Sequence, residues 1–142
     1  MKILLADDEP TIRLSLVDAL EDMGHAVVAA ADGQQASDAL QREGFDVLVS
    51  DIRMPKVDGM TLFRQARQRQ PIDVILMTAY AEVSDAVAAL KEGAIDYLMK
   101  PFDVEELRIR IQRIQERRSL EVQRGRAREG RSQEDPTRKV IG

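Results

Sequence analysis

Five short apolar runs recur along the chain: Lys2–Ala6, His25–Ala30, Asp46–Ser50, Asp73–Met77 and Asp96–Met99. The runs are largely continuous in hydrophobicity rather than alternating, which predicts strands covered on both faces. Between them the apolar residues switch to helical spacing. Ile12, Leu16, Ala19, Leu20 and Met23 share one face until Gly24 stops the helix, and Pro10 suits its first turn. Asp32-Gly33 opens a helix carrying Ala36, Ala39 and Leu40 and ending at Gly44. Asp58-Gly59 opens another with Met60, Leu62, Phe63 and Ala66, and Asp58 is its expected N-cap. Val83, Ala86, Val87 and Leu90 define a fourth that runs to Gly93, and the last begins near Asp103. Strand and helix thus alternate five times in about 115 residues, which predicts an α/β domain with a parallel sheet and right-handed crossovers. For five strands the expected order is 2-1-3-4-5, the doubly wound flavodoxin-like arrangement.

Composition narrows the chemistry. The chain has 142 residues, no Cys and no Trp, and a single His, His25. Thiol nucleophiles, disulfide scaffolds and Cys-based zinc sites are excluded, and one His cannot build a zinc site alone. His25 opens the second strand, at the opposite edge from the strand C-termini, and is expected to be structural. No apolar stretch approaches the ~20 residues that span a bilayer, and the first strand begins at Lys2, so a soluble cytoplasmic protein is expected. Charge is uneven. Residues 1–106 carry 10 Lys+Arg against 20 Asp+Glu, whereas residues 107–142 carry 11 against 5. No aromatic accompanies the arginines of the basic part, so a solvated helix and linker is expected there rather than a nucleic-acid surface.

The polar residues converge. In a parallel sheet all strand C-termini share one edge, and those ends read Asp7-Asp8, Asp51, Thr78 and Lys100 on strands one, three, four and five. Strands one and three are neighbours at the switch point, and neighbouring strands lie ~4.8 Å apart. Three carboxylates so placed need counter-charge; Lys100 supplies one, and a cation with oxygen ligands the rest. An all-carboxylate set without His or Cys selects a hard ion, Mg²⁺. An Asp beside Mg²⁺, an ammonium and a hydroxyl is equipped to attack phosphorus, and Asp51 is the nucleophile expected. The chain has no Gly-rich nucleotide cradle, so the phosphoryl group must come from another molecule.

Asp7-Asp8, Asp51 with Met54-Pro55 and Asp58-Gly59, Thr78-Ala79, and Lys100-Pro101-Phe102 together resemble the receiver domains of bacterial two-component response regulators, the CheY-like superfamily. The resemblance runs in order from residue 2 to about residue 118. It implies a phospho-acceptor and not a turnover enzyme, with Asp51 taking a phosphoryl group from the phosphohistidine of a sensor histidine kinase. It further implies that Asp8, Asp51 and the Arg53 carbonyl hold Mg²⁺, that Asp7 assists through water, and that Lys100 and Thr78 bind phosphoryl oxygens. Tyr97 falls at the family's switch-aromatic position, where its ring would fill space that Thr78 vacates on phosphorylation. A cis Lys100-Pro101 peptide and a modulating role for Tyr80 are implied in the same way, as is an output face on the fourth helix, fifth strand and fifth helix.

The tail suggests two further features. Val104, Leu107, Ile111 and Ile114 keep 3-4-3 spacing, a short heptad-like seam through which the C-terminal helices would form a homodimer. From Gly125 to Pro136 the composition reads as flexible linker. The expected division is therefore a receiver over residues 1–119 and an extension over 120–142 that leads to an effector domain. The Thr-Ala-Tyr loop, the Asp-Tyr-Leu-Met-Lys-Pro-Phe-Asp segment and the long final helix are similar to receivers of NtrC/DctD-type activators, where a receiver and linker precede an AAA+ ATPase that opens with a similar Ile-Gly. Rival readings remain. One is an interaction module that keeps the receiver fold but signals without phosphorylation. A phosphatase of the haloacid-dehalogenase type needs a second Asp two residues after the nucleophile, where this chain has Arg53, and a flavodoxin needs Ser/Thr-rich phosphate loops.

Overall fold

The computed structural model describes residues 1–79 and 82–134, with side chains through Gln123. Ten elements alternate along it: β1 (Lys2–Ala6), α1 (Pro10–Asp22), β2 (Ala26–Ala30), α2 (Gly33–Arg42), β3 (Val47–Asp51), α3 (Gly59–Arg69), β4 (Asp73–Thr78), α4 (Val83–Glu92), β5 (Asp96–Met99) and α5 (Val104–Glu134). The strands form one parallel sheet in the order β2-β1-β3-β4-β5, as the pattern predicts. In the central strands β1, β3 and β4, every residue after Lys2 and Asp73 is buried, which is why their sequences do not alternate. The edge strands β2 and β5 are only partly covered. The chain divides into two units, Met1–Arg108 and one from Ile109 onward.

The helix ends follow their sequence signals. Asp32 and Asp58 each accept the backbone N–H three residues on, from Gln35 and Thr61, so both cap helices. Two glycines let the loops above the sheet approach closely. A Cβ on Gly59 would lie 2.2 Å from the carbonyl oxygen of Asp51, and one on Gly33 only 1.6 Å from that of Val57. The starts of α2 and α3 are thereby pressed against the β3–α3 loop. Lys56 in that loop has φ 73, in the left-handed region, and its Nζ lies 3.3 Å from Asp32 Oδ2.

His25 is buried at the far edge, with its Nδ1 3.0 Å from the Met1 amine. Burial, and then the amine's charge, hold its pKa below 6.5.

Of the seam residues expected to form a homodimer, Leu107, Ile111 and Ile114 are 0%, 0% and 3% exposed. One expectation for α5 is corrected. The segment from Gly125, read as linker, is helical through Glu134. Its Arg, Glu, Ala and Gln are good helix formers, and they carry the backbone past Gly125 and Gly130. Residues 135–142 lie outside the described residues, so the end of the expected linker and the closing Ile-Gly are not described.

Candidate functional site

The strand register explains how the site assembles. Ala6 pairs with Ser50, Asp51 with Met77, and Thr78 with Met99, so the residues that end β1, β3, β4 and β5 are level. Asp7 and Asp8 follow β1 directly, Asp51 ends β3, Thr78 ends β4, and Lys100 follows β5. Carboxylate oxygens of Asp7, Asp8 and Asp51 all lie within 4.8 Å of one another. Lys100 Nζ donates to Asp51 Oδ2 at 2.8 Å and to Asp7 Oδ2 at 3.0 Å. The Lys100-Pro101 peptide is cis, and the Lys100 backbone N–H donates to the Thr78 carbonyl at 2.7 Å.

The three acids differ in surroundings. Asp7 is fully buried and both its oxygens are engaged, Oδ1 by the Glu9 N–H at 2.9 Å and Oδ2 by Lys100. Asp8 is exposed. Asp51 is buried, but among the described residues its Oδ1 receives only a long bond of 3.4 Å from the Arg53 N–H. That oxygen is the least committed acceptor of the buried pair. Burial raises the Asp51 pKa above 3.8 despite the opposing bond from Lys100. For Lys100, burial works against the charge, yet the bonds to Asp51 and Asp7 outweigh it, so its pKa rises above 10.5. One ammonium thus bonds two of the three clustered carboxylates, Asp7 and Asp51. The donor set is all oxygen and carries surplus negative charge, which fits a hard divalent cation and no softer metal.

Not every expected site residue joins the cluster. Thr78 is fully buried on the same edge, but its hydroxyl donates to the Ala79 carbonyl at 2.9 Å rather than to Asp51. Tyr97 is half-buried and packs against the core. The Arg53 side chain turns to Glu82, where its Nε bonds Oε1. A cleft of about 510 Å³ opens beside the triad; Asp8, Arg53, Asp58 and Asp85 are among its lining residues. Tyr80 lies outside the described residues. Glu82 is the residue that sequence reasoning missed. It reads as an ordinary acid near a helix start, and nothing in its spacing announces Arg53 as a partner.

Three comparisons bear on this geometry. A family model for the response regulator receiver domain matches residues 3–112. The chain is 45% identical over 103 residues to the DNA-binding transcriptional regulator NtrC of Klebsiella pneumoniae, covering 72% of this chain and 22% of that protein. It is 40% identical over 113 residues to the probable transcriptional regulator ycf27 of Porphyridium aerugineum, covering 80% and 47%. The chain thus spans less than half the length of either relative. A receiver domain from Clostridium thermocellum superposes with TM-score 0.78 at 34% identity, covering 84% of this chain and 97% of that one. NtrX from Brucella abortus gives 0.79 at 27% identity, over 89% of this chain and 29% of that one.

Proposed function

The chain belongs to the response regulator receiver domain family, and from that membership we propose that it is a phospho-accepting switch centred on Asp51. The observation that carries the reading is the pairing of a buried carboxylate, one oxygen nearly uncommitted, with an ammonium 2.8 Å from the other. Asp51 Oδ1 attacks phosphorus on the phosphohistidine of a sensor kinase. The oxygen–phosphorus bond forms as the phosphorus–nitrogen bond to the imidazole breaks, and the departing nitrogen recovers a proton. Lys100 neutralises charge on the equatorial oxygens. Asp8, Asp51 and the Arg53 carbonyl would hold Mg²⁺, which supplies charge neutralisation, while Asp7 keeps Lys100 in place and acts on the metal through water.

Switching in this reading begins at Thr78. Its hydroxyl exchanges the Ala79 carbonyl for a phosphoryl oxygen, and the Tyr97 ring follows into the vacated space. The signal leaves through the α4 and β5 surface to an output domain that regulates transcription. The likeness to NtrC supports an AAA+ activator as that domain. The chain itself catalyses no turnover beyond slow loss of its own phosphoryl group, and it works in the cytoplasm. No helix among the described residues is long and apolar enough to cross a membrane, which is consistent with that location.

The test uses phosphoramidate with Mg²⁺ and intact-mass detection. One phosphoryl group should add to the protein, chelation of Mg²⁺ should prevent the addition while leaving the circular dichroism spectrum folded, and Asp51→Asn should add none. Equal labelling of the parent and Asp51→Asn proteins would exclude Asp51 as the acceptor. Absence of any label would favour the interaction module that works without phosphorylation.

A further inference from the structure

The N-terminus of α4 is held in an unusual way. Glu82 occupies the N-cap position, but its side chain makes no capping bond to the helix. It is 7% exposed, and its carboxylate instead meets the Arg53 guanidinium in the β3–α3 loop. Among the described residues, Glu82 Oε2 is buried with no hydrogen-bond partner. Arg53 is therefore the counter-charge for a buried carboxylate, which is costly to leave alone. The Arg53 side chain itself is 79% exposed. The helix it restrains is poorly anchored, because α4 buries only Ala86 and Ala89, with Leu90 partly covered. By contrast α3 buries Leu62, Phe63 and Ala66. Small side chains contribute little burial, so loss of one ion pair matters more for α4 than for its neighbour.

Arg53 also lines the cleft beside Asp8, two residues from Asp51. A phosphoryl group there brings about −1.5 to −2 charge and three strong acceptors, for which a guanidinium fork is the best-matched side chain. We propose that the Arg53–Glu82 pair is a latch on the start of α4, opened when a phosphoryl group on Asp51 draws the Arg53 guanidinium away from Glu82. The inference rests on Asp51 being the acceptor. With Arg53 gone, Glu82 is a buried carboxylate without a partner. It must move toward water and take the first turn of α4 with it. The β3–α3 loop and α4 are thereby coupled through one exchangeable cation, separately from the Thr78 and Tyr97 movement.

Amide hydrogen exchange of the first turn of α4 tests this, with phosphoramidate and Mg²⁺ as the labelling probe. Before labelling, Arg53→Ala and Glu82→Gln should exchange that turn roughly tenfold faster than the parent, the scale of one lost bond to a charged group. Arg53→Lys, which keeps a cation for Glu82, should stay near the parent rate. Labelling should bring the parent to the rate of the variants and change the variants little. Parent-like exchange in both unlabelled variants would overturn the latch, and so would an unchanged rate in parent protein that mass shows to be labelled. Failure to label at all would overturn the acceptor reading and the opening step with it. The unlabelled comparison still decides whether the pair restrains α4.

Discussion

Replacing Lys100 with Met should destabilise the protein by about 3 kcal/mol at neutral pH, the low end for removing one partner of a buried ion pair. The low end applies because the Lys100 side chain keeps 19% of its surface exposed. Its two partners are both buried, Asp7 completely, and the substitution leaves them as neighbouring anions with no cation. The charged form of Asp51 is then disfavoured further in the folded state, so its folded pKa, already raised by burial, rises again. Groups shifted in that direction contribute most at low pH and lose the contribution as pH rises through the folded value. The deficit should therefore shrink on acidification through the carboxylate range and be largest above it. Urea unfolding of both proteins across that range checks the prediction. A deficit independent of pH would mean that Lys100 matters through packing rather than charge. The variant should also accept phosphoryl groups far more slowly, since nothing then offsets charge on the equatorial oxygens.

Asp51→Asn should do the opposite and stabilise the metal-free protein at pH 7. The asymmetry follows from the count of charges. Removing Lys100 leaves two buried anions unpaired, whereas removing the Asp51 charge leaves Lys100 and Asp7 matched one to one at 3.0 Å. Burial raises the Asp51 pKa above its ordinary 3.8, so the folded protein holds that proton more tightly than the unfolded chain. The cost of ionising Asp51 is thus present at neutral pH and disappears as pH falls toward 3.8. The gain from Asn should fade over the same window. Mg²⁺ should reverse the ranking, because it stabilises the parent by binding its folded state and has lost a ligand in the variant. Thermal melts with and without Mg²⁺ read both effects. An Asp51→Asn protein less stable than the parent without metal would show that the cluster is held together by its charges rather than strained by them.

Much of this was legible in the sequence, for specific reasons. Ile3–Ala6, Val47–Val49 and Val74–Met77 are continuous apolar runs because helices cover both faces of β1, β3 and β4. Strand order then brings Asp7, Asp8, Asp51 and Lys100 to one edge without any knowledge of side-chain conformation. What stayed hidden depends on choices that spacing does not encode. Thr78 could aim its hydroxyl at the cluster or at its own loop, and it takes the Ala79 carbonyl. Leu107, Ile111 and Ile114 carry one period that suits a seam between chains or burial within one, and spacing does not choose between them. The Arg53–Glu82 pair joins loops 29 residues apart, and only the fold brings them together. Gly59 marks a helix start in the sequence, but its lack of a side chain matters because the Asp51 carbonyl leaves no room for one.

In the proposed function Asp51, and no other carboxylate of the cluster, becomes an acyl phosphate. Borohydride reduces an acyl phosphate to the alcohol, which turns a phosphorylated Asp into homoserine. Protein treated with phosphoramidate and Mg²⁺, reduced and then sequenced by tandem mass spectrometry, should carry homoserine at position 51 and Asp at positions 7 and 8. Homoserine at position 7 or 8, or a retained phosphoryl group on any other side chain, would contradict the account.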